Sequence, residues 1–551
     1  MSDGQGSWSY GELNRRVEQV AARVAGTGAR GAVALLLGHD RVMVAGVLGT
    51  LRAGCTYVPL DPHAPRARQE QILAGTGARV VVTDAPRLAT APWLLATGLA
   101  LVRADEETGV DAPLPPLPGD PDAPAYILHT SGTTGTPKAI CQSQRNVLGL
   151  IGSWSTQLGI GPEDRLGLFS GYGYDAAVQD IFGALLNGAS LHLLDLRGGS
   201  SAPELVDRIA DERLTLLHFT PTVYRYLFGG RVTCGQDLSA VRLVVLGGEE
   251  ARRSDLDLFR LRFARGARLV NGLGLTECTT VLQYFADHDT RVLGEQLPVG
   301  RPVPGVQVRI VGDGWQGEME IDSPWLAAGC GLRYRSGDRL RRLPDGQWQH
   351  AGRTDRQLKL RGIRIEPAEV EAALTACEGI GEAAVLLREV EGEAQLVAYV
   401  VAREGFDEAA TRRQLRGRLP EYMVPTAFVV VAGLPRKANG KLDEAGLPPP
   451  ARRQLAVAVP ARTEIERLLL ALWSGVLGRE GIGIDDDFFA LGGHSLLATR
   501  LIARVRDAFA LELPLLALFE APTVAGMAER LAALEPAGVL PPIRRLPRTP
   551  Q

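Results

Sequence analysis

The 551-residue chain has little excess charge of either sign. Its 60 basic and 63 acidic residues leave a formal net charge of −3 at pH 7, and 45% of the residues are hydrophobic. This near-equal number of positive and negative charges gives the chain no overall attraction for nucleic acid or an anionic membrane. The hydrophobic content excludes a disordered or fibrous protein. Neither nucleic acid nor a membrane is an expected partner.

Paired cysteines and long apolar segments are also lacking. The six cysteines include no Cys-X-X-Cys pair, which is typical of reduced thiols in a cytoplasmic protein and predicts no structural zinc. The longest uncharged apolar stretch, residues 91–102, falls short of the roughly 18 residues that suggest a membrane helix. No basic segment followed by an apolar one opens the chain, so we expect a cytoplasmic location.

Short apolar segments alternate with helical patterns through the first part of the chain. Such segments lie at residues 32–37, 79–83, 191–194, 214–219 and 243–246, among helical patterns that include residues 10–25 and 202–209. This alternation predicts a doubly wound α/β body with buried, largely parallel strands.

The pattern changes near residue 352. A helix at 367–376 and strands at 395–401 and 427–431 predict a small α+β domain, which ends at three consecutive prolines, 448–450. The sequence from Thr463 to Glu466 then has the form of a capping box, and helical patterns continue at 496–509 and 523–534. A helical bundle is predicted there.

A loop rich in glycine and hydroxyl groups precedes Lys138. Its sequence is Thr130-Ser131-Gly132-Thr133-Thr134-Gly135-Thr136-Pro137-Lys138. Glycines allow close backbone approach, N–H and hydroxyl groups donate to phosphate oxygens, and the lysine adds positive charge. Ala139 stands where a Walker A loop has Ser or Thr, which argues against hydrolysis of the P-loop kind. A plain surface turn is the alternative for this loop taken alone.

Further motifs occur in an order that identifies a family. They lie at residues 8–13, 51–61, 271–277, 334–338, 352–362, 419–425, 439–441 and 487–496. With the loop, they make nearly the whole chain resemble the adenylation and peptidyl carrier domains of nonribosomal peptide synthetases. The resemblance implies a large multi-layer α/β adenylate-forming body, a small α+β C-terminal subdomain and an all-α four-helix carrier bundle.

The resemblance also implies domain boundaries. The adenylation core would span residues 1–354 with a shortened start, its C-terminal subdomain 355–450, a linker 451–462 and the carrier 463–536. The tail at 537–551 looks like a linker towards a condensation domain. Condensation or other synthetase domains, a phosphopantetheinyl transferase and a small MbtH-like activator are the implied protein partners.

The implied reaction uses ATP and Mg²⁺ to convert an amino acid to aminoacyl-AMP. Thr130, Ser131, Gly132, Thr133, Thr134, Gly135 and Lys138 would hold the β,γ-phosphates, and Thr276 would lie beside the α-phosphate. Glu277 would help to hold Mg²⁺, because a carboxylate is a hard oxygen ligand. Asp338 and Arg353 would contact the ribose, since an ionised carboxylate accepts two donors. A solvated loop acid is the alternative for Glu277, and a turn aspartate for Asp338.

Three further residues have roles that the resemblance implies. Lys441 would bridge substrate carboxylate and phosphate in the transition state, with an exposed lysine as the alternative. Asp355 would be the hinge of a domain rotation that withdraws Lys441 and brings the Arg361–Gly362 region to a tunnel. Ser495 would carry 4′-phosphopantetheine, whose thiol receives the aminoacyl group, and its predicted place at a helix start suits a phosphodiester.

The resemblance also implies a substrate pocket in which Asp175 pairs with the α-ammonium group. Around the side chain it places Ala176, Gln179, His218, Val245, Gly247, Gly272, Thr280 and Val281. Gln179 and His218 are taken as uncharged, with no acid besides Asp175, so a cationic side chain would lack a counter-charge. We expect a small or medium, neutral or polar amino acid; a hydrogen-bonded strand histidine is the alternative for His218.

Two other functions stay open. One is an acyl- or aryl-acid ligase of the same superfamily, for which Asp175 and the fused carrier are awkward. The other is a carrier scaffold whose adenylation half is catalytically silent.

Overall fold

The computed structural model divides the chain into two compact units. They are Met1–Leu194 with Leu205–Pro448, and Asp195–Glu204 with Pro449–Gln551. The described residues are 1–107, 119–132, 136–198, 200–229, 235–390, 393–437, 442–450, 458–489, 491–493, 495–509, 511, 513, 517–518 and 521–534. None of the helices in these ranges has the length and apolar character that a bilayer crossing requires.

A six-stranded sheet opens the first unit. Its strands are β1 Ala32–Leu36, β2 Thr56–Pro59, β3 Val80–Thr83, β4 Ala100–Arg103, β5 Pro124–Thr130 and β6 Lys138–Ser143. The order is β4-β3-β1-β2-β5-β6, and only the β5–β6 pair is antiparallel. The accompanying helices are α1 Tyr10–Gly26, α2 Arg41–Arg52, α3 Arg66–Thr76 and α4 Ala85–Thr90. The loop of residues 130–138, called the phosphate loop below after its predicted role, joins β5 to β6, because β5 ends at Thr130 and β6 begins at Lys138.

A seven-stranded sheet follows. Its strands are β7 Arg165–Leu168, β8 Ser190–Leu193, β9 Leu216–Phe219, β10 Leu243–Leu246, β11 Arg268–Leu275, β12 Thr279–Ala286 and β13 Arg301–Pro302. They lie in the order β13-β12-β11-β10-β9-β7-β8, and the five strands from β7 to β11 are parallel. The accompanying helices are α5 Gln144–Leu158, α6 Asp175–Leu185, α7 Ala202–Asp211, α8 Pro221–Phe228 and α9 Arg253–Arg262. Strands such as β10 are buried throughout, as expected for parallel strands covered on both faces.

The remainder of the first unit contains smaller sheets. An antiparallel four-stranded sheet comprises β14 Gln307–Gly312, β15 Gln316–Asp322, β16 Tyr334–Arg342 and β17 Trp348–Arg353. A hairpin of β18 Leu358–Leu360 and β19 Ile363–Ile365 precedes an α+β part, with α10 Pro367–Thr375, β20 Ile380–Val390, β21 Glu393–Ala402, α11 Glu408–Arg416 and β22 Ala427–Val430. The predicted helix and strands of the small domain are therefore confirmed to within two residues at each end.

The described part of the carrier segment is helical. Its helices are α12 Glu464–Leu477, α13 Ser495–Phe509 and α14 Val524–Leu534. The Thr463 hydroxyl accepts from the Glu466 N–H, and the Glu466 carboxylate accepts from the Thr463 N–H, so the predicted capping box is confirmed. Trp473, Phe488 and Leu501 are fully buried in its core. The α/β body, the α+β subdomain and the helical carrier agree with the predicted fold class.

Candidate active site

Glu277 is buried among polar groups from separate parts of the first unit. Its Oε1 atom lies 2.9 Å from Lys138 Nζ and accepts a 2.8 Å hydrogen bond from the Tyr334 hydroxyl. Arg364 Nη1 lies 3.2 Å from each carboxylate oxygen. Burial acts to raise the pKa of Glu277, but Arg364, Lys138 and Tyr334 outweigh it and hold that pKa below its ordinary value. Glu277 is therefore an ionised carboxylate with two cationic neighbours.

The described part of the phosphate loop contacts the segment that follows β18. The Ser131 hydroxyl donates to the Arg364 carbonyl at 2.9 Å and accepts from the Glu366 N–H at 3.0 Å. The Gly132 N–H donates to Glu369 Oε2 at 3.0 Å, and the other Glu369 oxygen pairs with Arg68. The Glu369 carboxylate therefore occupies a backbone donor of the loop that is predicted to bind phosphate.

Glycine is required at position 132 for packing. A β-carbon there would collide with the Thr136 carbonyl oxygen. The close backbone approach that glycine permits is therefore made within the loop itself, between Gly132 and the Thr136 carbonyl group.

The turn between β11 and β12 carries Thr276 and Glu277. The side-chain amide of Gln142 donates to the carbonyl oxygens of Thr276 at 3.4 Å and Glu277 at 3.3 Å. At the end of the turn Thr279 has a φ of 58°, a left-handed conformation that is unusual for a β-branched residue. Gln142 therefore holds the backbone of the turn that carries Glu277.

The predicted ribose contacts form an ionic cluster with the predicted hinge. Arg353 Nη1 lies 2.7 Å from Asp338 Oδ1, and its Nε and Nη2 atoms lie 2.7 and 2.8 Å from the Asp355 oxygens. His350 Nε2 lies 3.1 Å from Asp338 Oδ1. Burial acts to raise the pKa of Asp338, but His350, Lys359 and Arg353 together hold it well below the ordinary range. Asp338 is therefore ionised, and its carboxylate can accept hydrogen bonds from two donors at once.

The predicted pocket positions lie on one helix and neighbouring strands. Asp175 and Ala176 begin α6, and Gln179 on this helix donates from Nε2 to the Thr280 hydroxyl of β12 at 2.5 Å. His218 on β9 is paired in register with Val245 on β10. Gly247 follows β10, Gly272 lies within β11, and Thr280 and Val281 lie within β12. Burial raises the pKa of Asp175, and Glu277 adds to this effect while His218 opposes it.

One buried acid corrects the account of the pocket given by the sequence. Asp180 on α6 is fully buried, and its Oδ1 atom lies 3.0 Å from His218 Nδ1. Burial acts to lower the pKa of His218, but Asp180 and Asp175 outweigh it and raise that pKa above its ordinary value. The pocket predicted from the sequence contained no acid besides Asp175, whereas the structure places Asp180, one residue beyond Gln179, against the His218 imidazole.

The Arg361–Gly362 region lies beside the end of β10. A β-carbon at Gly248 would lie 3.4 Å from Gly362 Cα, and one at Gly362 would collide with the Thr220 side chain. Gly362 has a φ of 78°, which favours glycine. The segment predicted to line a tunnel thus sits next to the pocket residue Gly247.

Some predicted site residues lie outside the described residues. These are Thr133, Thr134, Gly135 and Lys441. Ser495 is the first residue of α13. Within the described ranges, no three His, Cys, Asp or Glu side chains gather as a metal-binding group. A single ionised carboxylate such as Glu277 still fits Mg²⁺, which is commonly held by one or two carboxylates together with substrate phosphates.

Sequence reasoning did not single out Tyr334, Arg364, Glu369 or Asp180. Tyr334 opens the motif at 334–338, and Arg364 ends the basic stretch that begins at Arg353. A signal for Asp180 was its place as an acid within the otherwise apolar run that follows Gln179 in α6. Nothing local signalled the Gly132–Glu369 contact, because these residues are 237 positions apart.

Three family models match the chain. Residues 1–329 match the AMP-binding enzyme family, residues 369–441 the AMP-binding enzyme C-terminal domain, and residues 467–531 the phosphopantetheine attachment site. The first match alone covers more than half of the chain.

Curated relatives and solved structures agree with these matches. Surfactin synthase subunit 3 of Bacillus subtilis (strain 168) is 34% identical over 95% of this chain and 43% of its own length. Tyrocidine synthase 2 of Brevibacillus parabrevis is 33% identical over 95% of this chain and 15% of its own length. The chain thus spans less than half of each relative.

A solved structure matches almost end to end. It is holo-PA1221, an NRPS protein containing adenylation and PCP domains bound to a vinylsulfonamide inhibitor, with a TM-score of 0.77 and 27% identity over 97% of this chain and 93% of that chain. The chain therefore belongs to the AMP-binding enzymes, as an AMP-forming ligase domain joined to a phosphopantetheine carrier domain of the nonribosomal peptide synthetase type.

Proposed function

We propose that this chain activates an amino acid with ATP and loads it onto its own carrier domain. The substrate carboxylate attacks the α-phosphorus and pyrophosphate leaves; the phosphopantetheine thiol then attacks the acyl carbon of the aminoacyl-AMP and AMP leaves. The observation that carries the proposal is the presence, in one chain, of an AMP-binding domain at residues 1–329 and a phosphopantetheine attachment site at residues 467–531. The chain thereby contains an activating site for the first half-reaction and an acceptor for the second.

The polyphosphate end of ATP is assigned to the loop and to Lys138. Thr130, Ser131, Gly132, Thr133, Thr134 and Gly135 would supply N–H and hydroxyl donors, and Lys138 a mobile charge. In the structure Lys138 Nζ lies 2.9 Å from the Glu277 carboxylate. A bound phosphate would therefore either share Lys138 with Glu277 or replace Glu277 as its partner. Thr276 would orient the α-phosphate. Glu277 would hold Mg²⁺, whose contribution is to neutralise phosphate charge.

The nucleoside end is assigned to the cluster around Asp338. Its depressed pKa leaves an acceptor for ribose hydroxyl groups. Arg353 pairs with both Asp338 and Asp355. It would hold the Asp338 carboxylate in place and approach the ribose. Asp355 is assigned as the hinge because it precedes the β18–β19 hairpin and is tied to the body through Arg353.

The amino acid is assigned to the pocket at the start of α6. Asp175, at the helix start, would pair with the α-ammonium group, which favours an α-amino acid over an aryl or fatty acid. Ala176, Gln179, His218, Val245, Gly247, Gly272, Thr280 and Val281 would surround the side chain. The hydrogen bond from Gln179 to Thr280 supports this assignment, because it joins two of these positions across α6 and β12.

The transfer half-reaction is assigned to Lys441, Ser495 and the Arg361–Gly362 region. Lys441 would stabilise the first transition state and then withdraw. The position of Gly362 against Gly248 supports a place for this segment at the mouth of the pocket. Ser495, at the start of α13, would carry the prosthetic group.

The partners follow from the same assignment. A phosphopantetheinyl transferase must modify Ser495, and condensation or other synthetase domains would consume the thioester; a small MbtH-like activator is a further candidate. We place the reaction in the cytoplasm, where ATP is available and thiols stay reduced. The five described cysteines are all free, which suits that compartment.

The test is exchange of labelled pyrophosphate into ATP with a panel of twenty amino acids and a matched panel of aryl and fatty acids. Exchange that depends on one amino acid or a few supports the proposal. Exchange only with aryl or fatty acids would instead identify an acyl- or aryl-acid ligase. No exchange with either panel, from protein that still binds ATP, would identify a silent carrier scaffold.

A further inference from the structure

A buried carboxylate lies behind the predicted pocket and has one described partner. Asp180 is fully buried in the apolar helix α6, and its Oδ1 atom contacts His218 Nδ1 at 3.0 Å. Its Oδ2 atom is buried with no hydrogen-bond partner among the described residues. Burying an ionised carboxylate costs free energy unless it is paired. Among the described residues, His218 is the partner of Asp180.

The contact fixes how His218 faces the pocket. Nδ1 is turned towards Asp180 on α6, and the ring packs on Trp154 of α5 with centroids 5.4 Å apart. Nε2 then points the other way, 3.8 Å from where a β-carbon on Gly247 would lie. In the part of the chain that the structure describes, Nε2 makes no hydrogen bond. It is a polar atom directed at space bordered by glycine.

Gly247, beside Nε2, and the neighbouring Gly272 lack side chains, which leaves room for a side-chain atom in ordinary van der Waals contact. A β-carbon on Gly247 or Gly272 would meet nothing closer than 3.6 Å. Val245, the register partner of His218 on β10, is apolar. A substrate side chain that enters this space would find Nε2 as a hydrogen-bonding group next to apolar walls.

We propose that Asp180 is a positioning residue that holds the His218 imidazole with Nε2 facing the substrate, and that the activated amino acid carries an uncharged, oxygen-bearing side chain that hydrogen-bonds to Nε2. An amide or a hydroxyl meets this description. A carboxylate does not, because the Asp180–His218 pair is neutral overall and Asp175 is already acidic, so a buried anion would have no counter-charge. An apolar substrate side chain would leave Nε2 without a hydrogen-bond partner, which would weaken the binding of that substrate.

The inference rests on the proposed function, and its test uses the same exchange reaction with pairs of similar shape. Threonine is compared with valine, asparagine with leucine, and glutamine with methionine, with aspartate and glutamate as the anionic members. We expect the best substrate to be the uncharged oxygen-bearing member of its pair, with kcat/KM about tenfold or more above the apolar member. A preferred apolar or anionic member would overturn the inference and leave the proposed function standing. No exchange with any amino acid would overturn both.

A double-mutant cycle separates positioning from a merely structural role. Asp180→Asn keeps the volume but removes the charge, and should reduce the preference about tenfold through KM for the amino acid. In a His218→Leu background the same change should not alter the preference further, because Asp180 acts through the imidazole. His218→Gln, which keeps a side-chain N–H, should retain part of the preference.

The contradicting results are distinct from loss of folding. KM for ATP and the thermal unfolding midpoint are measured for every variant, and only variants that match the parent in both are compared. Asp180→Asn lowering kcat equally for all amino acids, with the preference intact, would overturn the positioning role. His218→Leu leaving the preference unchanged would overturn the role of Nε2.

Discussion

Arg364 Nη1 lies 3.2 Å from each carboxylate oxygen of Glu277. The same carboxylate is the group to which we assign Mg²⁺, so a cationic side chain and a metal would compete for it. Arg364 follows the segment that borders Gly247 and Gly248, and its carbonyl accepts from Ser131 of the phosphate loop. On the proposed assignment of Mg²⁺ to Glu277, we expect the described arrangement to suit the step after pyrophosphate has left better than the step in which ATP binds.

Removing this competition should favour the first half-reaction. Arg364→Gln is expected to lower KM for ATP in pyrophosphate exchange about fivefold, since a partly buried ion pair contributes on the order of 1 kcal/mol. Loading of the carrier should become slower, because the arrangement with Arg364 on Glu277 is weakened. Arg356→Gln is the control, because Arg356 pairs with Glu371 at the surface. Equal losses of exchange and loading in Arg364→Gln would contradict this account.

The preference for an oxygen-bearing amino acid should decline as pH rises. Burial acts to lower the pKa of His218, but Asp180 and Asp175, both on α6, raise it above its ordinary value. The contribution of the cation to selectivity and to folding is therefore complete below the unfolded-state pKa of about 6.5 and is lost as pH rises through the folded-state pKa. The ratio of kcat/KM for the two members of a pair is measured from about pH 6 to pH 9.

The ratio isolates His218, because both amino acids share the same α-ammonium group and the same ATP site. His218→Gln should give a ratio that does not change with pH. A flat ratio in the parent protein, or a ratio that rises with pH, would be incompatible with a cationic His218.

Glycine at position 337 should be needed for the nucleoside site. Gly337 has a φ of 77°, and a β-carbon there would collide with the Asp355 carboxylate. Gly352 has a φ of 87° but open space around it, so it is a matched control. Both alanine variants should lose about 1–2 kcal/mol of unfolding free energy from backbone strain. Only Gly337→Ala should also raise KM for ATP, and an unchanged KM would refute this placement of Asp355 and Arg353.

Lys441 should matter for chemistry more than for binding. Lys441→Ala is expected to slow exchange about 100-fold, corresponding to about 3 kcal/mol for a lost transition-state contact, with ATP affinity little changed. Lys437→Ala serves as the control for a nearby exposed lysine. Exchange at the parental rate in Lys441→Ala would remove its assigned role.

Local patterns predicted the elements well where burial and capping decide the outcome. The strand at residues 243–246 has the predicted bounds because all its residues are apolar and buried. The helix predicted at 10–25 is α1, whose start is fixed by reciprocal bonds between Ser9 and Glu12. The Thr463–Glu466 capping box begins α12 as predicted.

The residues that the sequence did not single out depend on contacts between distant segments. His218 and Asp180 are 38 positions apart, and Arg364 and Glu277 are 87 apart. The partner of Asp180 depends on which face of α6 packs on β9, which a single sequence does not reveal. Lys138 and Glu277 could be named because the motifs that contain them resemble a known family, but Arg364, which pairs with Glu277, could not.

The most direct test of the central claim is the mass of the intact carrier-bearing chain after reaction. Phosphopantetheinylated protein is incubated with ATP, Mg²⁺ and the amino acid that supports exchange, alongside a Ser495→Ala variant. The account predicts a mass increase equal to one aminoacyl group, removable by a thiol nucleophile, and intact exchange without loading in the variant. Loading that persists in Ser495→Ala, or exchange-competent parent protein that never gains the aminoacyl mass, would contradict it.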